Sequence, residues 1–411
     1  MTSRSEAESL DAADPLAGFR DRFVQDDGDR LYVDGNSLGR LPLAAKERVA
    51  ALVDEWGERL VTAWPEWIEL PERVGEAIGA SCLGAAPGTV LVADSTTVNL
   101  YKLASAALAA RGAGVLVTDE AEFPTDRYVL QGLGQVRLLR SDAVAGPTAD
   151  DIAAACAPGD VALVCLSLVS YRSGARADLG AITAAAHEAG ALALWDLSHA
   201  AGAVAIGLDA AGVDLAVGCT YKYLNGGPGS PAYLYVRREL QPELRSPIQG
   251  WFGQREQFAM GPDYDPEPGI GRFAAGTPSI LGIAAVEAAV ELVAEAEIER
   301  IEAKAAALTE LAIALADDRL APLGFTVGTP RAAAERGAHV SLRHEEAWQV
   351  CQALIERANV VPDFRGPDSV RLGLPPLYTR FVDVWDAVDR IERLVAAAEH
   401  RDFPVARSRV T

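Results

Sequence analysis

From Thr89 to Val236 short apolar runs and helical patterns take turns, and this alternation restricts the fold more than any other feature. Thr89–Ala93, Val115–Thr118, Val136–Leu139, Val161–Ser167, Ala191–Trp195, Asp214–Gly218 and Ala232–Val236 read as strands. Val98–Arg111, Asp150–Ala155 and Leu179–Ala189 read as helices between them. Such a pattern predicts an α/β fold with a mostly parallel sheet covered on both faces. Ligands then bind at the carboxyl ends of the strands. Only a glycine-rich turn separates the last two runs, so one of them is expected to run antiparallel at or near an edge.

Outside that region the pattern is different. Leu31–Val33 reads as a strand entering the turn Asp34-Gly35-Asn36-Ser37-Leu38-Gly39, and a helix is expected from Pro42 to Leu60. The stretch from Glu239 to Ser279 is rich in Pro, Gly, Trp and Phe and predicts an irregular excursion. Alanine-rich helices follow from Ile283 to Lys304 and on to Asp317. Strands near Phe325–Val327, Ala338–Leu342 and Ser369–Gly373, with helices Glu345–Ala358 and Asp383–Glu399, predict a smaller α+β domain. The expected division is a disordered tail at 1–15, an N-terminal segment at 16–50 packing with the small domain, a large domain at 51–282, and a small domain at 283–411.

Charge and composition exclude some functions. With 37 basic against 58 acidic side chains, neither nucleic acid nor an anionic membrane suits the surface as a whole. No apolar run is long enough to span a bilayer, and no signal-peptide core is present near Met1. The five cysteines are scattered without a CxxC pair, so no metal site is expected and the thiols read as reduced, in a cytoplasmic protein.

The chemistry centres on Cys219-Thr220-Tyr221-Lys222-Tyr223-Leu224-Asn225-Gly226-Gly227. Lys222 follows a strand in an apolar setting. There it is either a snorkelling charge or an amine that burial keeps neutral and nucleophilic. Asp196 ends a strand one interval earlier, with His199 three residues on. Taken alone, these are a helix cap and a core histidine; together with Lys222 they can face one small molecule. A ring aldehyde for the lysine and a ring nitrogen for the aspartate describe pyridoxal phosphate. Thr96 and Thr97 open a helix, which suits an anion and equally suits an ordinary cap. Phe123 can stack on a flat ring, and Asp126 adds a second carboxylate. Arg371, on a strand before a proline turn, can hold a carboxylate or form a salt bridge.

The ordered set Asp34–Gly39, Thr96–Leu100, Phe123–Asp126, Trp195–Ala200, Tyr221–Asn225, Gly276–Pro278 and Arg371–Tyr378 resembles the kynureninase family, within fold type I of the pyridoxal-phosphate enzymes. The resemblance runs from about Leu31 to Phe381. It implies a Schiff base on Lys222, with Asp196 and Asp126 facing the ring nitrogen, His199 and Phe123 against the ring, and Thr96, Thr97, Ser167 and Tyr221 at or beside the phosphate. It implies that Trp251 and Thr277 reach the phosphate of a partner subunit, hence a homodimer with sites at the interface. Arg371 would bind the substrate carboxylate, while Asn36, Ser37 and Trp64 would serve the aromatic end. The implied reaction is hydrolysis of L-kynurenine, with the 3-hydroxy derivative as a further substrate, to anthranilate and L-alanine in tryptophan catabolism, the kynurenine pathway and NAD biosynthesis. Tyr221 would be an acid in that reaction. Where some members carry an asparagine, this chain has Thr277. A cysteine desulfurase-like lyase, an aminotransferase and a non-catalytic pyridoxal-phosphate binder are the competing readings.

Overall fold

A computed structural model describes residues 3–25, 28–112 and 114–406. The chain opens with helix α1 (Arg4–Ala13) and strand β1 (Leu31–Tyr32), then helices α2 (Leu43–Arg59), α3 (Trp64–Trp67) and α4 (Leu70–Ile78). The large sheet is built from β2 (Val90–Val92), α5 (Thr96–Arg111), β3 (Val115–Asp119), α6 (Pro124–Leu133), β4 (Val136–Leu139), α7 (Ala149–Cys156), β5 (Val161–Ser167), α8 (Leu179–Glu188), β6 (Leu192–Asp196), β7 (Leu215–Gly218) and β8 (Tyr233–Val236). Helices α9 (Ile280–Ala296) and α10 (Ile298–Leu315) follow. The remainder is β9 (Thr326–Val327), β10 (His339–Arg343), α11 (Ala347–Arg357), β11 (Val360–Val361), β12 (Asp363–Arg365), β13 (Ser369–Gly373) and α12 (Phe381–Ala396).

The seven strands run in the order β2-β8-β7-β6-β5-β3-β4. Only β8 pairs antiparallel with its neighbours, and it lies one strand from the edge. Strands β6, β7 and β8 are buried at every position, as strands covered on both faces must be. The chain moves outward from β3 to β4, then returns to β5 and continues the other way. The order therefore reverses between β3 and β5, and such a reversal leaves a crevice at the carboxyl ends. Opposite stands a four-stranded antiparallel sheet, β12-β13-β10-β9. Strand β1 pairs parallel with β11, and Gly373 N–H donates to the Val33 carbonyl at 2.7 Å. These bonds tie the turn after β1 to the small sheet.

Several expectations are corrected. Residues 3–15 are not a disordered tail; Met1 and Thr2 lie outside the described residues. The helix α1 carries a capping box of Ser3 and Glu6, and its Ala7 is buried. Its acids are used: Asp11 accepts from Phe381 N–H at 2.6 Å and Val382 N–H at 3.0 Å, capping α12. Asp14 pairs with buried Lys304 at 2.6 Å. Helix α6 stands where no helix is expected, because only Asp126 and Leu130 are buried along it and its apolar stripe is thin. The long alanine-rich helix breaks at Glu297, whose φ is +64°. Apolar residues of α9 join the core beneath the large sheet, whereas α10 joins the small-sheet core from Leu308 onward. The cores thus divide within α10, between Ile301 and Leu308. Residues 16–50 are shared as well: Leu16 and Phe23 pack in the large core, Leu31 and Val33 in the small one.

Candidate active site

Strands β6 and β7 end side by side, with Leu197 N–H donating to Val217 O at 2.8 Å. This register puts Asp196 and the loop carrying Lys222 at one edge of the sheet. The loop is closed by its own bonds. Asn225 N–H donates to Lys222 O at 3.0 Å, and Gly226 N–H to Thr220 O at 2.8 Å. The Thr220 hydroxyl donates to Pro231 O at 2.7 Å. At Gly226 a Cβ would stand 2.8 Å from Val286 Cγ2 and 2.9 Å from Ser230 Oγ, so glycine is required by close packing. Lys222 Nζ then lies 2.9 Å from His199 Nε2. Burial and the Lys222 charge hold His199 well below its ordinary pKa, so the ring is neutral.

Three buried carboxylates stand beside this pair. Asp196 Oδ1 accepts from Ser198 N–H at 2.7 Å. Asp126, in the first turn of α6, lies close enough to Asp196 to feel its charge, and its Oδ2 is buried with no protein partner. Burial first, and then Asp196 and Glu122, push Asp126 well above the carboxylate range. Glu122 is buried too and is raised mainly by burial; it accepts from Ser167 N–H at 2.7 Å, from the Ser167 hydroxyl and from Phe123 N–H at 2.9 Å. Ser167 therefore serves Glu122. So many acids at one point favour a positive group brought by a ligand.

Arg371, on β13, is fully buried. It forms a two-pronged ion pair with Asp363, Nε to Oδ1 at 2.8 Å and Nη2 to Oδ2 at 2.7 Å. Its Nη1 donates to Tyr171 O, and its Nη2 to Ser37 Oγ at 3.3 Å. Ser37 in turn donates to Asp363 Oδ2 at 2.8 Å. Ser37 thus stands beside Arg371 and Asp363. Asn36 is buried over Gly373 with both amide atoms lacking a protein partner. Tyr171 also meets Phe123 edge-on, ring centres 5.3 Å apart, and Phe123 stays 38% exposed at the crevice.

The start of α5 lies on the same side. Ser95 Oγ caps it by accepting from Val98 N–H at 3.3 Å, with Thr96 and Thr97 in the first turn. Asp94 just before has a φ of +48° and pairs at 2.5 Å with Lys102, which is wholly buried and also donates to Phe273 O at 2.6 Å. Tyr221 lies beside Lys222, whose Nζ is 5.9 Å from the phenol ring centre; the Cys219 thiol and burial hold that phenol above its ordinary pKa. Trp64, Trp251 and Thr277 form a second group. Trp64 and Trp251 both pack on Phe252, at 6.2 and 4.5 Å between ring centres. Thr277 lines a cavity of about 300 Å³ with Phe252 and Asp94.

Glu122, Asp363 and Tyr171 were missed in the sequence. Glu122 heads a motif already singled out, and Asp363 lies one strand before Arg371, so a search for buried carboxylates near that arginine would have found it. Among the described residues no cluster of metal-binding side chains occurs.

A flat ligand with an aldehyde, a basic ring nitrogen and an anionic arm suits these groups together. The unpartnered Asp126 oxygen and the neighbouring Asp196 call for a protonated ring nitrogen, Lys222 suits the aldehyde, and the α5 N-terminus suits the phosphate. Pyridoxal phosphate has these parts, and the molecule is a fold type I pyridoxal-phosphate enzyme. Solved structures agree on the fold: an apo cysteine desulfurase from Thermococcus onnurineus NA1 (TM-score 0.77, 18% identity, 90% of this chain and 95% of that one) and a cysteine desulfurase from Escherichia coli (0.76, 19%, 93% and 98%). Residues 301–391 match the kynureninase C-terminal domain family. Curated kynureninases from Pseudomonas fluorescens and Burkholderia pseudomallei strain 1106a are 43% and 42% identical over 403 and 410 residues, 94% and 96% of both chains. The chain belongs to the kynureninase family.

Proposed function

We propose that this chain hydrolyses L-kynurenine to anthranilate and L-alanine with pyridoxal phosphate on Lys222, a step of tryptophan catabolism. The carrying observation is the identity to kynureninases, 43% over 403 residues, in a chain whose Lys222 lies 2.9 Å from His199. When bound, the cofactor supplies the carbonyl that Lys222 engages and the electron sink for bonds broken at the substrate carbons.

The chain's own residues do the rest. Asp196 and Asp126 hold a proton on the ring nitrogen. Asp363 occupies the Nε side, so Arg371 binds the substrate carboxylate through the Nη1 N–H not given to Tyr171 O and through Nη2 in place of its long bond to Ser37 Oγ. Lys222 Nζ removes and returns the Cα proton, and His199 Nε2 accepts a hydrogen bond from it. One water is consumed at the γ-carbonyl as the bond to Cβ breaks. The Tyr221 phenol, raised and therefore protonated, donates to Cβ as anthranilate leaves. Thr96 and Thr97 hold the phosphate and Phe123 covers the ring face.

The partner is a second copy. Trp251 and Thr277 reach the phosphate of that copy, and Trp64 lines its aromatic subsite. Support comes from exposed apolar side chains near this group: Val61 (73%), Phe258 (74%) and Met260 (71%). A large domain ending within α10, between Ile301 and Leu308, and a small domain after it hold the site between them. Five free, buried thiols support a reducing compartment, the cytoplasm. They also argue against a desulfurase nucleophile, since Cys351 is buried inside α11. Equimolar anthranilate and alanine from kynurenine support the proposal. Sulfide or alanine from cysteine, or glutamate made with a 2-oxo acid, in place of anthranilate overturns it.

A further inference from the structure

One face of the small sheet carries a polar side chain that the reaction above does not use. Register pairs Ser341 with Arg371, Asp363 with Arg371, and His339 with Gly373, so His339 shares a face with Asp363 and Arg371. His339 is fully buried, and neither ring nitrogen has a protein partner. Its Nε2–Cδ2 edge lies against the Gly174 backbone, where a Cβ would stand 3.3 Å from Nε2. Its ring centre is 5.4 Å from that of His199. The ring nitrogens make no direct hydrogen bond to each other, which leaves a bridging water as the link. His199 Nδ1 is buried without a partner as well. A buried polar atom left unpaired is unfavourable, so three in one place indicate a shared function.

We propose that His339 is a positioning residue that fixes the tautomer of His199 and thereby sets the basicity of Lys222. The argument rests on the assignment of Lys222 made above. The Lys222 ammonium can donate to His199 Nε2 only if that nitrogen keeps its lone pair. His199 must then carry its proton on Nδ1, which needs an acceptor. His339 supplies it through one bridging water. Burial and the charges of Arg371, Lys222 and Arg365 hold the His339 ring neutral, so a lone pair is available. The groups facing the two imidazoles are Lys222 from the loop after β7 and Arg371 and Arg365 from the small sheet. Asp363 balances both arginines. The charge around the rings is therefore fixed, and the tautomer is the variable that His339 controls.

The test reads the tautomer. The chain has 5 histidines, so long-range nitrogen–hydrogen NMR spectra of uniformly ¹⁵N-labelled protein resolve each ring. The His199 signals are assigned by their loss in His199→Asn. In the cofactor-free protein His199 should be the Nδ1–H form, and it should shift toward Nε2–H in His339→Phe while His339→Gln keeps the parent pattern. In the loaded enzyme without substrate, the pH midpoint of the cofactor's visible band should move by at least about half a unit in His339→Phe and return in His339→Gln. An Nε2–H form of His199 in the parent protein overturns the proposal whether or not either variant folds. A folded His339→Phe with unchanged tautomer and midpoint also overturns it. A protein that gives no visible band at all contradicts the Lys222 assignment instead, so the two failures are distinct.

Discussion

Replacing Asp363 by asparagine should disable substrate binding without emptying the cofactor site. The Asp363 carboxylate receives Nε and Nη2 of Arg371 at 2.8 and 2.7 Å, Arg365 Nη2 at 2.8 Å and Ser37 Oγ at 2.8 Å. Asparagine keeps the shape but presents an NH2 group to guanidinium N–H groups, and it leaves Arg371 charged and buried. Breaking a buried pair from one side is unfavourable by about 3–5 kcal/mol, so the urea midpoint should fall clearly. The functional effect is smaller, since Arg371 remains but is no longer held. Loss of one charge-assisted bond to the substrate carboxylate corresponds to about 1.5–3 kcal/mol, or a KM raised roughly 10- to 150-fold. Anthranilate fluorescence against kynurenine concentration measures KM and kcat, and the visible band reports the cofactor. The expected result is a raised KM with the band intact. A double variant with Arg371→Met should lose much less than the sum of the two, because both act on one contact. A folded Asp363→Asn enzyme with KM within about twofold of the parent refutes the reasoning.

Three further outcomes follow from other parts of the molecule. Burial, with Asp363 adding to it, raises Asp34 to about 7. The folded chain therefore holds this proton more tightly than the unfolded chain, and stability is lost as pH rises from about 4 through about 7; Asp34→Asn should be more stable than the parent at pH 8, by up to about 4 kcal/mol, with the gain vanishing near pH 4 in chemical denaturation. Asp94→Ala leaves the buried Lys102 ammonium without its carboxylate; it should lower stability by about 3–5 kcal/mol and weaken pyridoxal-phosphate binding, whereas Lys102→Met should be milder, as calorimetry and equilibrium dialysis would show. Tyr221→Phe should keep the cofactor band and lose turnover by about 10²- to 10⁴-fold in single-turnover assays, and a parental rate excludes the phenol as the acid.

The large sheet was legible because all its strands but the edge strand β4 are short apolar runs between turn formers, and burial on both faces makes such runs unmistakable. Lys222, Asp196, His199 and Arg371 were legible because strand ends fix where their backbones lie. What the sequence hides is pairing across long separations. Nothing local shows that Asp11 caps a helix beginning at Phe381, or that Ser37 joins the arginine. The acidic N-terminus read as solvated because its partners are hundreds of residues away. Helix α6 escaped because a site residue, Asp126, takes one of its two buried positions. The core that α9 joins is hidden for a related reason: α9 is apolar enough for either core, and only packing against α2 and α4 assigns it.

The measurement that bears most directly on the account is the rate of anthranilate release from L-kynurenine by the parent protein and by Lys222→Ala, each incubated with pyridoxal phosphate. The account predicts turnover by the parent and, for Lys222→Ala, retained cofactor with no measurable anthranilate. A parent protein that binds the cofactor and releases no anthranilate, or a Lys222→Ala variant that matches its rate, would contradict it.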